Sequence, residues 1–119
     1  MPRIKRGVTT HRRHKRLLVL TKGQRATRHS LYRRAHEAML HSLSYAFTHR
    51  RERKGDMRRL WISRVNASSR ANGLTYGQFI NGLNKAGVEI NRKLLADLAV
   101  KEPGIFSQLV TLAKDQLSS

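Results

Sequence analysis

Six histidines, His11, His14, His29, His36, His41 and His49, are the first side chains in this sequence whose spacing could suggest chemistry. His11 and His14 stand three apart and could share a helix face, as metal ligands do. Each is flanked by arginine or lysine, however, and no cysteine and hardly a carboxylate stands nearby to complete a site. A cation does not settle in so positive a field. No metal and no cofactor are expected, and imidazoles in such surroundings are read as hydrogen-bonding or stacking groups. The seven Asp and Glu form no evident pair for acid–base work, and Ser, His and Asp show no spacing of a nucleophile elbow. Gly23, Gly55, Gly73, Gly77, Gly82 and Gly87 match no phosphate-binding fingerprint. Nothing here asks for an enzyme.

The positive signal is charge. The 119 residues hold 25 Lys and Arg against 7 Asp and Glu, a formal net charge of +18. Residues 1–70 carry 20 of those cations and only Glu37, Glu52 and Asp56, a net +17, whereas residues 71–119 come to +1. A solvated helix face would interleave acids with its cations; this stretch does not, so a nucleic-acid partner is expected. Arginine outnumbers lysine there, and its planar fork grips phosphate bidentately or stacks on a base. Packing so many like charges costs self-repulsion that a small core cannot easily offset, so the arm needs counter-charge to settle. Without cysteine, disulfides and thiolate zinc sites are excluded. The longest early apolar run, Leu17 to Leu20, falls far short of the roughly 20 residues of a spanning helix, and no secretory cleavage pattern is present. A soluble, cytoplasmic protein with no membrane partner is expected.

The elements that must carry these cations read as helices, and the expected class is all-α: a long basic N-terminal helical arm followed by a small globular helical domain. Residues 1–9, with Pro2 and Gly7, lack a helical period and are expected to be extended. A short helix is predicted from Thr10 to Thr21, stopped by Lys22-Gly23. From Gln24 to Ala71 one long helix, or two in near continuation, is predicted from the stripe Leu31, Ala35, Ala38, Met39, Ser42, Leu43, Ala46 and Phe47. Gly55 costs about 1 kcal/mol in a helix interior and marks the expected bend or break. Beyond a turn at Asn72-Gly73, Thr75 and Gln78 form a capping box for a helix burying Phe79, Ile80 and Leu83, ended by Gly87. Asn91 caps the next helix, with Leu94, Leu95, Leu98 and Ala99 expected inside. Pro103 opens the last, with Ile105, Phe106, Leu109, Val110, Leu112 and Ala113 buried. Leu60, Trp61, Ile62 and Val65 are expected to complete this core from the end of the long helix. The division expected is a basic arm over 1–59 and a helical domain over 60–119.

"KGDMRRLWISRVNASSR" (Lys54 to Arg70) and "YGQFINGLNKAGVEINRKLLADLAV" (76–100), with Arg13-His14-Lys15 and Lys22-Gly23, resemble the L20 family of bacterial large-subunit ribosomal proteins over the whole chain. The resemblance implies a structural constituent of the 50S subunit, with a basic helical extension threaded into 23S rRNA and an RNA-binding helical domain. It also implies an early role in subunit assembly, neighbouring large-subunit proteins as partners, and, in some relatives, repression of translation of the protein's own mRNA. On this footing rRNA contacts are placed at Arg3, Lys5, Arg6, Arg12, Arg13, His14, Lys15, Arg16, Lys22, Arg25 and Arg28. Arg50, Arg51, Arg53, Lys54, Arg58, Arg59, Arg64 and Arg70 follow along the long helix, and Asn72, Thr75, Asn81, Lys85 and Arg92 in the domain. Two departures from the family pattern stand out. An aromatic pair and a glycine usually follow the Lys-Gly, where this chain has Gln24, Arg25 and Ala26, so phosphate contact rather than stacking is expected there. Arg and Phe are usual where this chain has Gly55 and Met57, which points to Gly55 as a hinge. Charge alone would also permit a DNA-architectural protein, but no dimer interface or inserting apolar wedge is legible and no homo-oligomer is expected. A nucleic-acid-processing enzyme is disfavoured by the missing acid cluster.

Overall fold

The structure, a computed structural model, describes residue 1 and residues 3–118. Among these residues every regular element is helical, as the sequence predicts. They are α1 (Gly7–Leu20), a 3-10 turn (Ala26–His29), α2 (Tyr32–Ala71), α3 (Tyr76–Lys85), α4 (Arg92–Lys101) and α5 (Pro103–Ser118). The chain forms two compact units, Met1–Arg51 and Glu52–Ser119.

In the first unit, α1 begins at Gly7, so the expected extended run over 1–9 is too long; Pro2 lies outside the described residues. The Arg6 carbonyl accepts from the Thr10 N–H at 3.1 Å and from the Thr9 hydroxyl at 2.9 Å, which starts the helix without a side-chain cap. A start of that kind leaves no mark in residue type. The stop does: Gly23 takes φ +84°, a left-handed value that glycine adopts without steric cost. Ala26 also has φ +58°, where an L side chain costs roughly 1–2 kcal/mol. That residue and the 3-10 turn it opens delay α2 to Tyr32, eight residues past the predicted start at Gln24. The predicted stripe is only partly covered. Ala35 is buried and Ala38, Met39 and Ala46 are half-buried, but Leu31, Leu43 and Phe47 remain more than half exposed. Among the described residues Leu17 and Thr21 are the other buried side chains of the unit, and the His14 ring stacks on Tyr32 with centroids 3.9 Å apart.

Gly55 does not break the helix. α2 runs unbroken from Tyr32 to Ala71, so of the two forms expected, one long helix or two in near continuation, the structure has the first. A penalty of about 1 kcal/mol is small for a helix whose flanking turns are rich in good helix formers, and Asp56 pairs with Arg59 one turn on at 3.1 Å.

The second unit has one core: Val65, Phe79, Leu83, Leu95, Ala96, Phe106, Val110 and Ala113, with Trp61, Ile80, Leu109 and Ala99 packed against it. The Phe79 and Phe106 rings meet tilted, with centroids 5.1 Å apart. Helices α3 and α5 approach so closely at Gly82 that a Cβ there would stand 2.6 Å from the Ala113 carbonyl oxygen. The predicted ends hold. Thr75 Oγ1 accepts from the Gln78 N–H while Gln78 Oε1 accepts from the Thr75 N–H, completing the capping box. Asn91 Oδ1 accepts from the Leu94 N–H at 2.9 Å, and α5 begins at Pro103. At Gly73 and Gly87, both left-handed, paired bonds (Leu74 N–H to Ser69 O with Gly73 N–H to Arg70 O, and Val88 N–H to Leu83 O with Gly87 N–H to Asn84 O) close α2 and α3 in Schellman motifs. Several expected core positions are corrected: Leu60, Leu94, Ile105 and Leu112 are exposed, while Ala96 is buried in their place. Successive helical residues point about 100° apart; on α4 the adjacent Leu95 and Ala96 take the core side, which turns Leu94 out to solvent.

Candidate nucleic-acid interface

The sequence-derived contact residues divide by element. Arg3, Lys5 and Arg6 precede or open α1 and are exposed. Arg12, Lys15 and Arg16 share a face of α1 by their spacing of three and four, with Arg13 beside them, all exposed. His14 is half-buried, with one face of its ring stacked on Tyr32. Lys22, Arg25 and Arg28 are exposed around the 3-10 turn. Arg50 and Arg51 are exposed on α2, and the Arg51 guanidinium lies 4.6 Å from the centre of the Phe47 ring.

Within the second unit, Lys54 and Arg58 stand four apart on one face of α2, Arg53 and Arg64 lie near a second, and Arg59 points to a third. Arg70 donates from Nε to Asn66 Oδ1 at 3.2 Å. Cations thus face several directions around one helix rather than forming a single stripe. Asn81 and Lys85 are exposed on α3. The remaining three candidates make internal bonds. Asn72 donates to the Ser68 carbonyl at 2.8 Å with its Oδ1 3.3 Å from Ser107 Oγ; Thr75 is held in its capping box; Arg92 donates from Nε to the Tyr76 hydroxyl at 2.9 Å. These bonds link α5 to the end of α2 and α4 to α3.

Within the basic stretch 1–70, two cations stand outside the sequence-derived set. Arg33 and Arg34 are exposed at the start of α2, and Arg34 pairs loosely with Glu37 at 3.6 Å. Among the described residues no group of three or more His, Asp or Glu could hold a metal ion, and no helix is long and apolar enough to cross a membrane.

Helices alone, a cationic surface facing several ways and a small closed core define a strongly basic all-α protein with one long charged helix. A family model described as ribosomal protein L20 matches residues 3–109. The chain belongs to the ribosomal protein L20 family, and so to structural components rather than enzymes, working at the ribosome in the cytoplasm. It is 60% identical over 113 residues to the large ribosomal subunit protein bL20 of Dehalococcoides mccartyi, covering 95% of both chains. It is 55% identical over 117 residues to that of Moorella thermoacetica, covering 98% of this chain and 97% of that one. With the protein of the same name from Brevibacillus brevis it shares 48% identity over 119 residues and the full length of both.

Proposed function

We propose that this chain is a structural constituent of the large ribosomal subunit that binds 23S rRNA directly and acts early in the subunit's assembly. Residues 1–59 form its rRNA-penetrating arm and residues 60–119 its compact RNA-binding domain. The single observation that carries this reading is the distribution of cations around α2. Lys54, Arg58, Arg53, Arg64 and Arg59 face several directions while remaining exposed, which suits a helix enclosed by phosphates rather than one lying on a flat partner. Family membership supplies which polyanion, since the relatives are named as large ribosomal subunit proteins. The contacts are to backbone and shape, as a rod of arginines has no fixed way to read base edges in an A-form groove. Neighbouring large-subunit proteins are the further partners.

Mixing the full chain with large-subunit rRNA, sedimenting the particles and footprinting with hydroxyl radicals tests this. Co-sedimentation with discrete protected sugars is expected; a chain left in the supernatant contradicts the reading. The resemblance extends the same chemistry to the protein's own mRNA. Retention of that leader RNA at moderate salt is expected, and failure to bind removes this part alone.

A further inference from the structure

In the first unit a cleft of about 450 Å³ opens between the 3-10 turn and α2, lined among others by Gln24, Arg28, Arg34, Glu37, His41 and Tyr45. That volume falls within the range of small-molecule sites. Its wall continues into an exposed file of rings at helical spacing: His41 and Tyr45 have centroids 6.2 Å apart at 24°, and Tyr45 and His49 6.0 Å apart at 11°. Tyr45 is 59% exposed, with an imidazole on either side of it along the helix. None of these rings belongs to the core of the second unit.

Three chemistries meet in the cleft. An open aromatic face selects a flat apolar ring. Arg28 and Arg34 select an anion attached to it. Glu37 is one of only three acids among the first 70 residues. Facing a phosphate it would repel, but facing a base edge it accepts hydrogen bonds from an amino group. Its pairing with Arg34, at 3.6 Å and mostly exposed, is loose enough to yield to such a donor. Helix-stabilising ring pairs alone would explain the spacing of His41, Tyr45 and His49, but neither the cleft nor the acid placed in it.

Resting on the reading of an RNA partner, we propose that this cleft holds one unstacked nucleobase carrying an exocyclic amino group, laid against Tyr45 with its amino edge toward Glu37 and its phosphate toward Arg28. The site adds base selection to an arm whose other contacts are to phosphate.

The test uses the full chain with three single-stranded probes of equal length: oligocytidylate, oligouridylate and an abasic ribose-phosphate strand. Oligocytidylate is expected to bind about tenfold more tightly than oligouridylate, whose O4 turns an acceptor toward Glu37. Tyr45→Ala should lower oligocytidylate affinity about tenfold and leave the abasic strand unchanged, whereas Tyr45→Phe should keep oligocytidylate binding. Glu37→Gln should abolish the cytosine preference, because an amide offers a donor and an acceptor. Equal loss on all three probes in Tyr45→Ala, or no loss on any, overturns the proposal. Wild-type chain that binds none of the probes and no rRNA fragment instead defeats the RNA-binding reading itself.

Discussion

Val65 and Arg58 lie on nearly the same line of α2, seven residues apart, and only Val65 is buried, at 0% exposure. Seven residues are close to two helical turns, so one stripe of one helix changes occupation within that distance. Toward the C-terminus it carries Val65 and Trp61 to the core; toward the N-terminus it carries Arg58 and Lys54 to solvent. No linker separates the two because none is needed.

That division predicts opposite phenotypes for two neighbours. Trp61 is packed on the core but only half-buried, so Trp61→Ala should cost about 2–3 kcal/mol, below the ~3–5 of a fully buried aromatic. Arg58→Ala should leave the melting temperature near wild type and lower the salt slope of RNA binding by about 1. Thermal melting and salt titration of both variants check this, and matched melting temperatures would contradict it.

The contact between Gly82 and Ala113 predicts a difference between two glycines of α3. A Cβ at Gly82 would press on the α5 backbone at Ala113, whereas one at Gly77 would meet nothing within 4 Å. Gly82→Ala should destabilise by about 1–3 kcal/mol through overpacking. Gly77→Ala should be neutral or stabilise by up to about 1 kcal/mol. Urea denaturation of the two variants should place their midpoints on opposite sides of wild type, or Gly77→Ala level with it.

Ser69 is fully buried, and its Oγ finds no hydrogen-bond partner among the described residues. An unsatisfied buried hydroxyl costs about 1–3 kcal/mol, so Ser69→Ala should raise stability by about 1 kcal/mol. A lower midpoint for this variant would mean that the hydroxyl is bonded in solution.

Ala26 holds φ +58°, a left-handed value at a residue that carries a side chain. Ala26→Gly should relieve about 1 kcal/mol of local strain, offset in part by glycine's greater entropy when unfolded. Slower amide exchange at Ser30 and Leu31, whose N–H groups both bond the Thr27 carbonyl, is the expected readout.

Much of the second unit was legible in the sequence because its punctuation is local. Thr75 with Gln78, Asn91, Pro103, Gly73 and Gly87 each act within a few residues, and each does in the structure what its type predicts. Where reading depended on distant neighbours it failed. Leu94, Ile105 and Leu112 are as apolar as Leu95, Phe106 and Val110, and only the geometry of a narrow core decides which are covered. In the first unit the start of α1 at Gly7 rests on bonds to the Arg6 carbonyl, and the delay of α2 to Tyr32 on a left-handed Ala26, a conformation that alanine does not announce. The cationic surface was legible from charge alone. The cleft at Tyr45 was not, since Gln24 and Arg28 reach it only through the 3-10 turn.

The central claim is that a cationic surface binds large-subunit rRNA through phosphates in a defined RNA shape. Affinity of the full chain for 23S rRNA fragments and for random duplex DNA, titrated with salt under matched conditions, tests it most directly. Six to ten phosphate contacts predict a log–log slope of about −5 to −9, and a loss of about 10³ to 10⁵-fold between roughly 50 and 200 mM salt, with rRNA held more tightly than DNA throughout. A shallow slope near zero, or equal affinity for rRNA and duplex DNA at every salt concentration, would contradict it.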